Sequence, residues 1–323
     1  MKVFVTGGNG FIGSVVVRQL LARGDAVRCL LRPASRTARI DDLPVERVHG
    51  DVRDAATVGD GVQGCQAAVH LACPSAWSVI RTPEMPAVVV GGTSHLLEAA
   101  RRQGLERVVH VSSAAAIGAS RAPTVLNEES ESPEPISHLG YARAKREAEA
   151  RCREAAAAGL GVVIVNPGEV YGPGDDALVT AGNLAGFAKS SPVLVCEGGT
   201  SVAHVDDVAA GIVAALDRGR PGQRYILGGE NRTIADLAAL TLEILALRRR
   251  IVTLPRPLIR SLAWVGRTFR LPLPFEPEVI PYATLYWFMD NAKARRELQV
   301  SFRSARETLA PTLAWLHEAG HID

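Results

Sequence analysis

Short apolar runs and longer amphipathic stretches alternate through the first two-thirds of this chain. Val3 to Val5 reads as a strand, and Phe11 to Leu21 has the length and composition of a helix. Asp25–Leu31, Val45–His49, Ala67–Ala72, Arg107–Ser112 and Gly161–Asn166 read as the second to sixth strands. Helical patterns lie between them, among them Thr93–Gln103 and Leu139–Ala158. Such alternation predicts an α/β fold, a doubly wound parallel sheet with helices on both faces. Ligands are then expected at the carboxyl ends of the strands.

The pattern changes after Pro167. Gly172-Pro-Gly-Asp175 signals a loop, Val205–Leu216 reads as a helix and Arg224–Leu227 as a strand. From Asn231 onward the chain reads as mostly helical, broken by Pro255, Pro257, Pro272, Pro274, Pro277 and Pro281. The expected organisation is a sheet domain over residues 1–168 and 204–229. Residues 169–203 and 230–323 form a smaller, mostly helical substrate lobe over its ligand edge.

Bulk properties exclude more than they assign. The 323 residues are 47% hydrophobic and 22% charged with a net charge of +2, so nothing indicates nucleic-acid binding. No run of about 18 apolar residues predicts a transmembrane helix. The amino terminus does not read as a signal peptide, since its apolar run is short and its glycines serve a turn. Cys29, Cys65, Cys73, Cys152 and Cys196 lack metal-site spacing, and no metal is expected. Scattered thiols fit a reducing cytoplasm, with Cys29 and Cys196 expected to be buried.

Thr6-Gly-Gly-Asn-Gly-Phe-Ile-Gly13 follows the first strand and opens the first helix. Gly7 permits a tight turn, Gly10 lets backbone approach a pyrophosphate, and Gly13 lets helix and strand pack closely. Free N–H groups at the helix start face the anion. The second strand ends in Cys29-Leu-Leu-Arg-Pro33 rather than in the acid that binds a ribose 2′-hydroxyl. Arg32 and Arg36 are therefore candidate partners of a 2′-phosphate, or else solvated loop arginines. This favours NADP(H), with NAD(H) the alternative. Asp51, after the third strand, is either an adenine contact or a helix cap. His70 reads as structural.

Tyr141-Ala-Arg-Ala-Lys145 places a phenol and an ammonium on one helix face. A nearby ammonium lowers a tyrosine pKa from about 10, which suits general acid–base work. Ser112 or Ser113, at the end of the fifth strand, supplies a hydroxyl for a developing oxyanion. An exposed helix pair and a capping serine are the alternatives.

Thr6–Gly13, Gly50-Asp51, His70-Leu-Ala72, Ser112-Ser113, Tyr141-x-x-x-Lys145 and Asn166-Pro167…Val170-Tyr-Gly-Pro173 occur in one order. Together they resemble the extended short-chain dehydrogenase/reductase superfamily, the NAD-dependent epimerase/dehydratase group, over roughly residues 1–230. Leu30-Leu-Arg-Pro33, His204-Val-Asp-Asp-Val-Ala209, Tyr225-Ile-Leu-Gly-Gly229 and Asn291-Ala-Lys-Ala294 are most similar to dihydroflavonol-4-reductase-like and hopanoid-associated sugar-epimerase-like proteins. The resemblance implies a Rossmann-type sheet, Tyr141 as acid/base, Ser113 as oxyanion partner, and Lys145 on the nicotinamide ribose. It also implies a homodimer built through two helices of each protomer. The expected cofactor contacts are Thr6, Gly7, Gly10, Phe11, Ile12, Gly13, Arg32, Arg36, Asp51, Val52, Leu71, Ala72, Tyr141, Lys145, Pro167 and Val170.

The chain departs from the pattern in places. Val89 stands where relatives carry Asn, Ala114–Ala116 lack hydroxyls, and the acid pair of dehydratases is missing. Glu169 reads as a loop carboxylate, with a functional role as the alternative, and Arg248–Arg250 as a solvated helix end. Pro255–Phe275, with Arg256, Arg260, Arg267 and Arg270, reads as a lobe helix, a membrane-surface segment or a lid. Tyr282, Trp287 and Phe288 are pocket or core. The leading expectation is reduction of a small-molecule ketone or aldehyde. A nucleotide-sugar epimerase or dehydratase is the alternative, and a non-catalytic dinucleotide sensor is a third.

Overall fold

The computed structural model describes residues 1–74, 79–134, 136–269 and 279–323. Its central sheet begins with β1 (Lys2–Thr6), β2 (Ala26–Leu31), β3 (Glu46–His49), β4 (Ala67–His70) and β5 (Arg107–Val111). Val162–Pro167 and Arg224–Leu227 complete it. Across the sheet the order is Arg224–Leu227, Val162–Pro167, β5, β4, β1, β2, β3, all parallel. The order reverses between β1 and β4, where such sheets open a ligand crevice. Thr6 lies opposite His70, and His70 opposite His110, so three strand tips stand side by side.

The continuous apolar run in β1 has a simple cause: both faces are covered. Val3 and Val5 pack with Val16, Val17 and Leu20 of α1 (Phe11–Ala22). Phe4 faces the other way, into Val58, Val62 and Leu96. Each such side chain contributes roughly 1.5–3 kcal/mol of burial. Every strand read from the sequence is present, within two residues at each end. The helix Gly92–Gln103 follows one turn of π-helix, Ala87–Gly91, and ends where Gly104 turns left-handed at φ 67°. Val89 sits inside that wide turn, buried against Met85, Ala144 and Ala148.

Beyond Asn231 helices predominate, as the sequence indicates, but short strands run among them. Glu230–Thr233, Gly199–His204, Tyr286–Met289 and Val125–Leu126 form a second sheet in that order, with Glu169–Tyr171 also on Gly199–His204. Val193–Cys196 pairs with Ile251–Leu254. Most span two to four residues, too few for a period to show. The helix Arg256–Phe269 buries Ile259 against Cys196 and Ile280 and exposes Leu258 and Trp264. Arg270, Pro272, Pro274, Phe275 and Pro277 lie outside the described residues. Among the described residues, no helix is long and apolar enough to cross a membrane.

Candidate active site

A cavity of about 780 Å³ opens at the carboxyl ends of the central strands and runs on beneath the second sheet. Gly7, Gly10, Phe11, Ile12 and Gly13 line one end. Gly7 has φ 72°, and a Cβ there would stand 2.9 Å from the Ala72 nitrogen. A Cβ on Gly13 would fall 2.0 Å from the Gly7 carbonyl oxygen. Side chains are thus excluded from the turn, leaving a backbone cradle. Gly10 precedes α1 without a side-chain cap, so the helix's first N–H groups are left for an anion. This cradle fits a dinucleotide pyrophosphate.

Thr6 is a correction to the expected contacts. It is fully buried and does not line the cavity. Its hydroxyl lies 2.7 Å from His70 Nδ1 and accepts from the Ala72 N–H at 3.3 Å, fixing the β4 tip. Leu71 and Ala72 do line the cavity. His70 is structural as expected, and burial beside the Lys145 charge pushes it down to about 3.

Arg32 and Arg36 are exposed on the cavity rim, and neither guanidinium has a hydrogen-bond partner among the described residues. Asp51 and Val52 also line this end. Asp51 is no helix cap: that place belongs to Asp54, which accepts from the Ala56 N–H. Asp51 instead takes Arg53 at 2.7 and 2.9 Å, which holds its carboxyl below the usual range.

Ser113, Tyr141 and Lys145 converge on the middle of the cavity. Tyr141 and Lys145 come from the helix Gly140–Ala157, with the ammonium 5.8 Å from the phenol ring centre. Lys145 is buried and donates to the Val111 carbonyl at 3.0 Å. Ser113 hydrogen-bonds Tyr141, and its oxygen accepts from the Ala115 N–H at 3.2 Å. The expected lowering of the tyrosine pKa does not prevail. Burial raises it above its usual value, and Lys145 and Ser113 only oppose that rise. Lys145 is itself raised: burial acts downward, but the neighbouring Cys73, Tyr141 and Glu149 outweigh it.

Ser112 and Ser113 separate cleanly. Both line the cavity, but the Ser112 hydroxyl donates to Glu149 at 2.6 Å. Asn166 bridges the same Glu149 oxygen at 2.6 Å and the Ser113 carbonyl at 2.9 Å. Arg153 closes the other side of Glu149 at 3.1 Å. Pro167 and Val170 line the cavity opposite Tyr141's helix.

Arg39, Asp175 and Glu169 line the cavity although the sequence reading does not count them among the contacts. Arg39 reaches from the loop after β2 to the Gly174 carbonyl at 2.6 Å and Asp176 at 2.7 Å, strapping that end. Asp175 is buried and accepts the Thr180 and Ala181 N–H groups at 3.0 Å, setting the following helix. Glu169 is not in a loop. It sits in a strand on the cavity wall, where burial raises its carboxyl despite bonds from Thr200, Tyr171 and Asn183. Tyr282 and Trp287 line the cavity, whereas Phe288 is core beneath Gly199. None of the described side chains of the helix Arg256–Phe269 lines it.

The chain is 33% identical to a putative dihydroflavonol 4-reductase of Synechocystis, over 99% of this chain and 95% of that one. It is 32% identical to sterol demethylase protein B of Methylococcus capsulatus, over the full length of both. A dTDP-glucose 4,6-dehydratase of Streptomyces venezuelae, solved with NAD bound, superposes with a TM-score of 0.79. That match has 28% identity and covers 100% of this chain and 99% of that one. A family model matches residues 3–228, and the chain belongs to the NAD dependent epimerase/dehydratase family, whose fold is a Rossmann-type α/β sheet.

Proposed function

We propose that this chain is an NADP(H)-dependent reductase that converts a ketone or aldehyde to an alcohol. One juxtaposition carries the reading: Ser113, Tyr141 and Lys145 share a cavity with the glycine turn and with the exposed Arg32 and Arg36, whose guanidinium groups make no hydrogen bond among the described residues. In this reading residues 1–168 and 204–229 hold the nucleotide, and 169–203 with 230–323 hold the substrate.

Bound in the cavity, a reduced nicotinamide cofactor supplies the hydride that the carbonyl carbon accepts. Gly7, Gly10 and Gly13 admit the pyrophosphate, and the N–H groups of Phe11 and Ile12 bind it. Arg32 and Arg36 pair with the 2′-phosphate, while Asp51 and Val52 flank the adenine. Leu71 and Ala72 would support the bound cofactor, and Pro167 and Val170 would hold its nicotinamide. Lys145 binds its ribose. Tyr141 donates its phenolic proton to the carbonyl oxygen, and Ser113 donates a hydrogen bond to that oxygen as charge develops. The raised Tyr141 pKa keeps the phenol protonated at neutral pH, the form a reductase needs. The reading includes a cytoplasmic location, which fits the free thiols, and a homodimer.

Titration with NADPH and NADH, followed by NADPH oxidation against a carbonyl panel, tests this. NADPH preference with carbonyl-dependent oxidation is the expected result. The likeness to a nucleotide-sugar dehydratase favours a second reading, transient oxidation with retained cofactor. Tight NAD(H) retention without net oxidation would support that reading instead.

A further inference from the structure

The cavity divides by charge. Its lining cations among the described residues are Arg32, Arg36, Arg39 and Lys145. The three arginines follow β2, at the nucleotide end, where Arg39 also reaches the Asn9 carbonyl beside the glycine turn. Lys145 is committed to Tyr141 and the Val111 carbonyl. The far wall is built from Ile234, Tyr282, Leu285 and Trp287, with Glu169 and Thr200 as its polar members.

Glu169 is held firmly. Its strand pairs with Gly199–His204, and Thr200, Tyr171 and Asn183 all bond its carboxylate, Asn183 at 3.2 Å. Asn183 also donates to the Tyr171 hydroxyl at 2.8 Å, so that support is itself fixed. A carboxylate has about four acceptor positions. Three are filled from within the protein, which leaves roughly one for a donor in the cavity. A phosphate or carboxylate at this wall would meet a like charge, with no lining cation among the described residues of the wall to offset it.

We infer that Glu169, steadied by Thr200, is a specificity-determining residue for an uncharged, largely apolar carbonyl substrate that carries a hydroxyl remote from the reacting carbonyl. The apolar wall takes the substrate body, and the remote hydroxyl donates to Glu169. This rests on the reductase reading above and narrows its substrate class. It separates the substrate from nucleotide sugars, whose diphosphate would need cations at this wall.

The test uses alkyl and aryl ketones in matched pairs, one plain and one with a distal hydroxyl, plus the phosphate monoester of that hydroxyl. NADPH oxidation gives kcat/KM for each. The wild type is expected to favour the hydroxy ketone roughly 10- to 100-fold, the range of a hydrogen bond to a charged group. The phosphate ester should be the poorest of the three. Glu169→Gln should cut the hydroxy-to-plain ratio severalfold, and Glu169→Leu should bring it close to one. NADPH affinity of each variant reports that the fold is intact. A wild-type ratio near one, or a ratio unchanged in both variants, overturns the inference while leaving the reductase reading standing. No NADPH oxidation with any ketone overturns the reductase reading, and this inference with it.

Discussion

Ser112 donates to the Glu149 carboxylate at 2.6 Å, and both side chains are sealed from solvent. Glu149 also takes Asn166 and Arg153, and Arg224 lies 3.5 Å away. This buried hub ties the helix that carries Tyr141 and Lys145 to the tip of β5 that carries Ser113. Removing one partner of a buried charged network is costly, about 3–5 kcal/mol. Glu149→Ala should therefore lose roughly 3 kcal/mol in urea unfolding. Ser112→Ala should lose about 1 kcal/mol and keep most turnover. Ser113→Ala removes the cap on the Ala115 N–H, so it should also lose about 1 kcal/mol, and it should lose turnover about 100-fold, the scale of one oxyanion donor. Equal kinetic loss in the two serine variants would contradict the assignment.

In the proposed reading, Tyr141 sets the pH dependence. Burial, opposed by Lys145 and Ser113, holds the phenol above its usual value. The protonated form that donates in reduction therefore persists through neutral pH. Carbonyl reduction should be flat from about pH 6 to 9, below the ordinary tyrosine value near 10. Alcohol oxidation needs the phenolate and should rise with pH. Tyr141→Phe should abolish both while NADPH still binds. Reduction that falls steadily from pH 6 to 9 would contradict this state of Tyr141.

Two buried histidines make the fold acid-sensitive. Burial and the Lys145 charge hold His70 neutral down to about 3, and burial holds His110 low as well. Their depressed folded values mean that the unfolded chain binds the extra protons. Stability is then full above the unfolded value near 6.5 and declines as pH falls below it. His70 alone accounts for about 2 kcal/mol between pH 7 and 5, and His110 acts in the same direction. Urea midpoints across this range check the slope. A flat profile would show that the histidines titrate alike in the folded and unfolded chains, and a rise toward low pH would show that they are protonated in the folded protein.

In the proposed reading, cofactor choice turns on Arg32. Arg32→Ala should weaken NADPH about 10- to 100-fold and NADH little, because a charge-assisted pair to the 2′-phosphate is lost. Equal weakening of both nucleotides would place Arg32 elsewhere in binding. Isothermal titration with each reduced cofactor separates these results.

The sheet and the nucleotide cradle were legible because their signals are local. Gly7, Gly10 and Gly13 sit within one turn, and Tyr141 and Lys145 are one helical turn apart. Supporting contacts were hidden because they join distant segments. Arg39 meets Gly174 across 135 positions, and Ser112 meets Glu149 across 37. Glu169 was misread as a loop residue because its strand has three residues and no period of its own. The rise in the Tyr141 pKa was invisible for a similar reason. Spacing revealed the ammonium beside the phenol but not the apolar cover over both. Thr6 belongs to the motif, yet only its partner His70, 64 positions away, shows that it faces the sheet interior.

The most direct test of the central claim follows deuterium from cofactor to product. NADPH deuterated at nicotinamide C4, as each of its two epimers, is incubated with the protein and the ketone panel. The account predicts stoichiometric NADPH consumption and deuterium on the new carbinol carbon from one epimer only. Retained NAD(H) with no net consumption, and no deuterium in any alcohol, would contradict it.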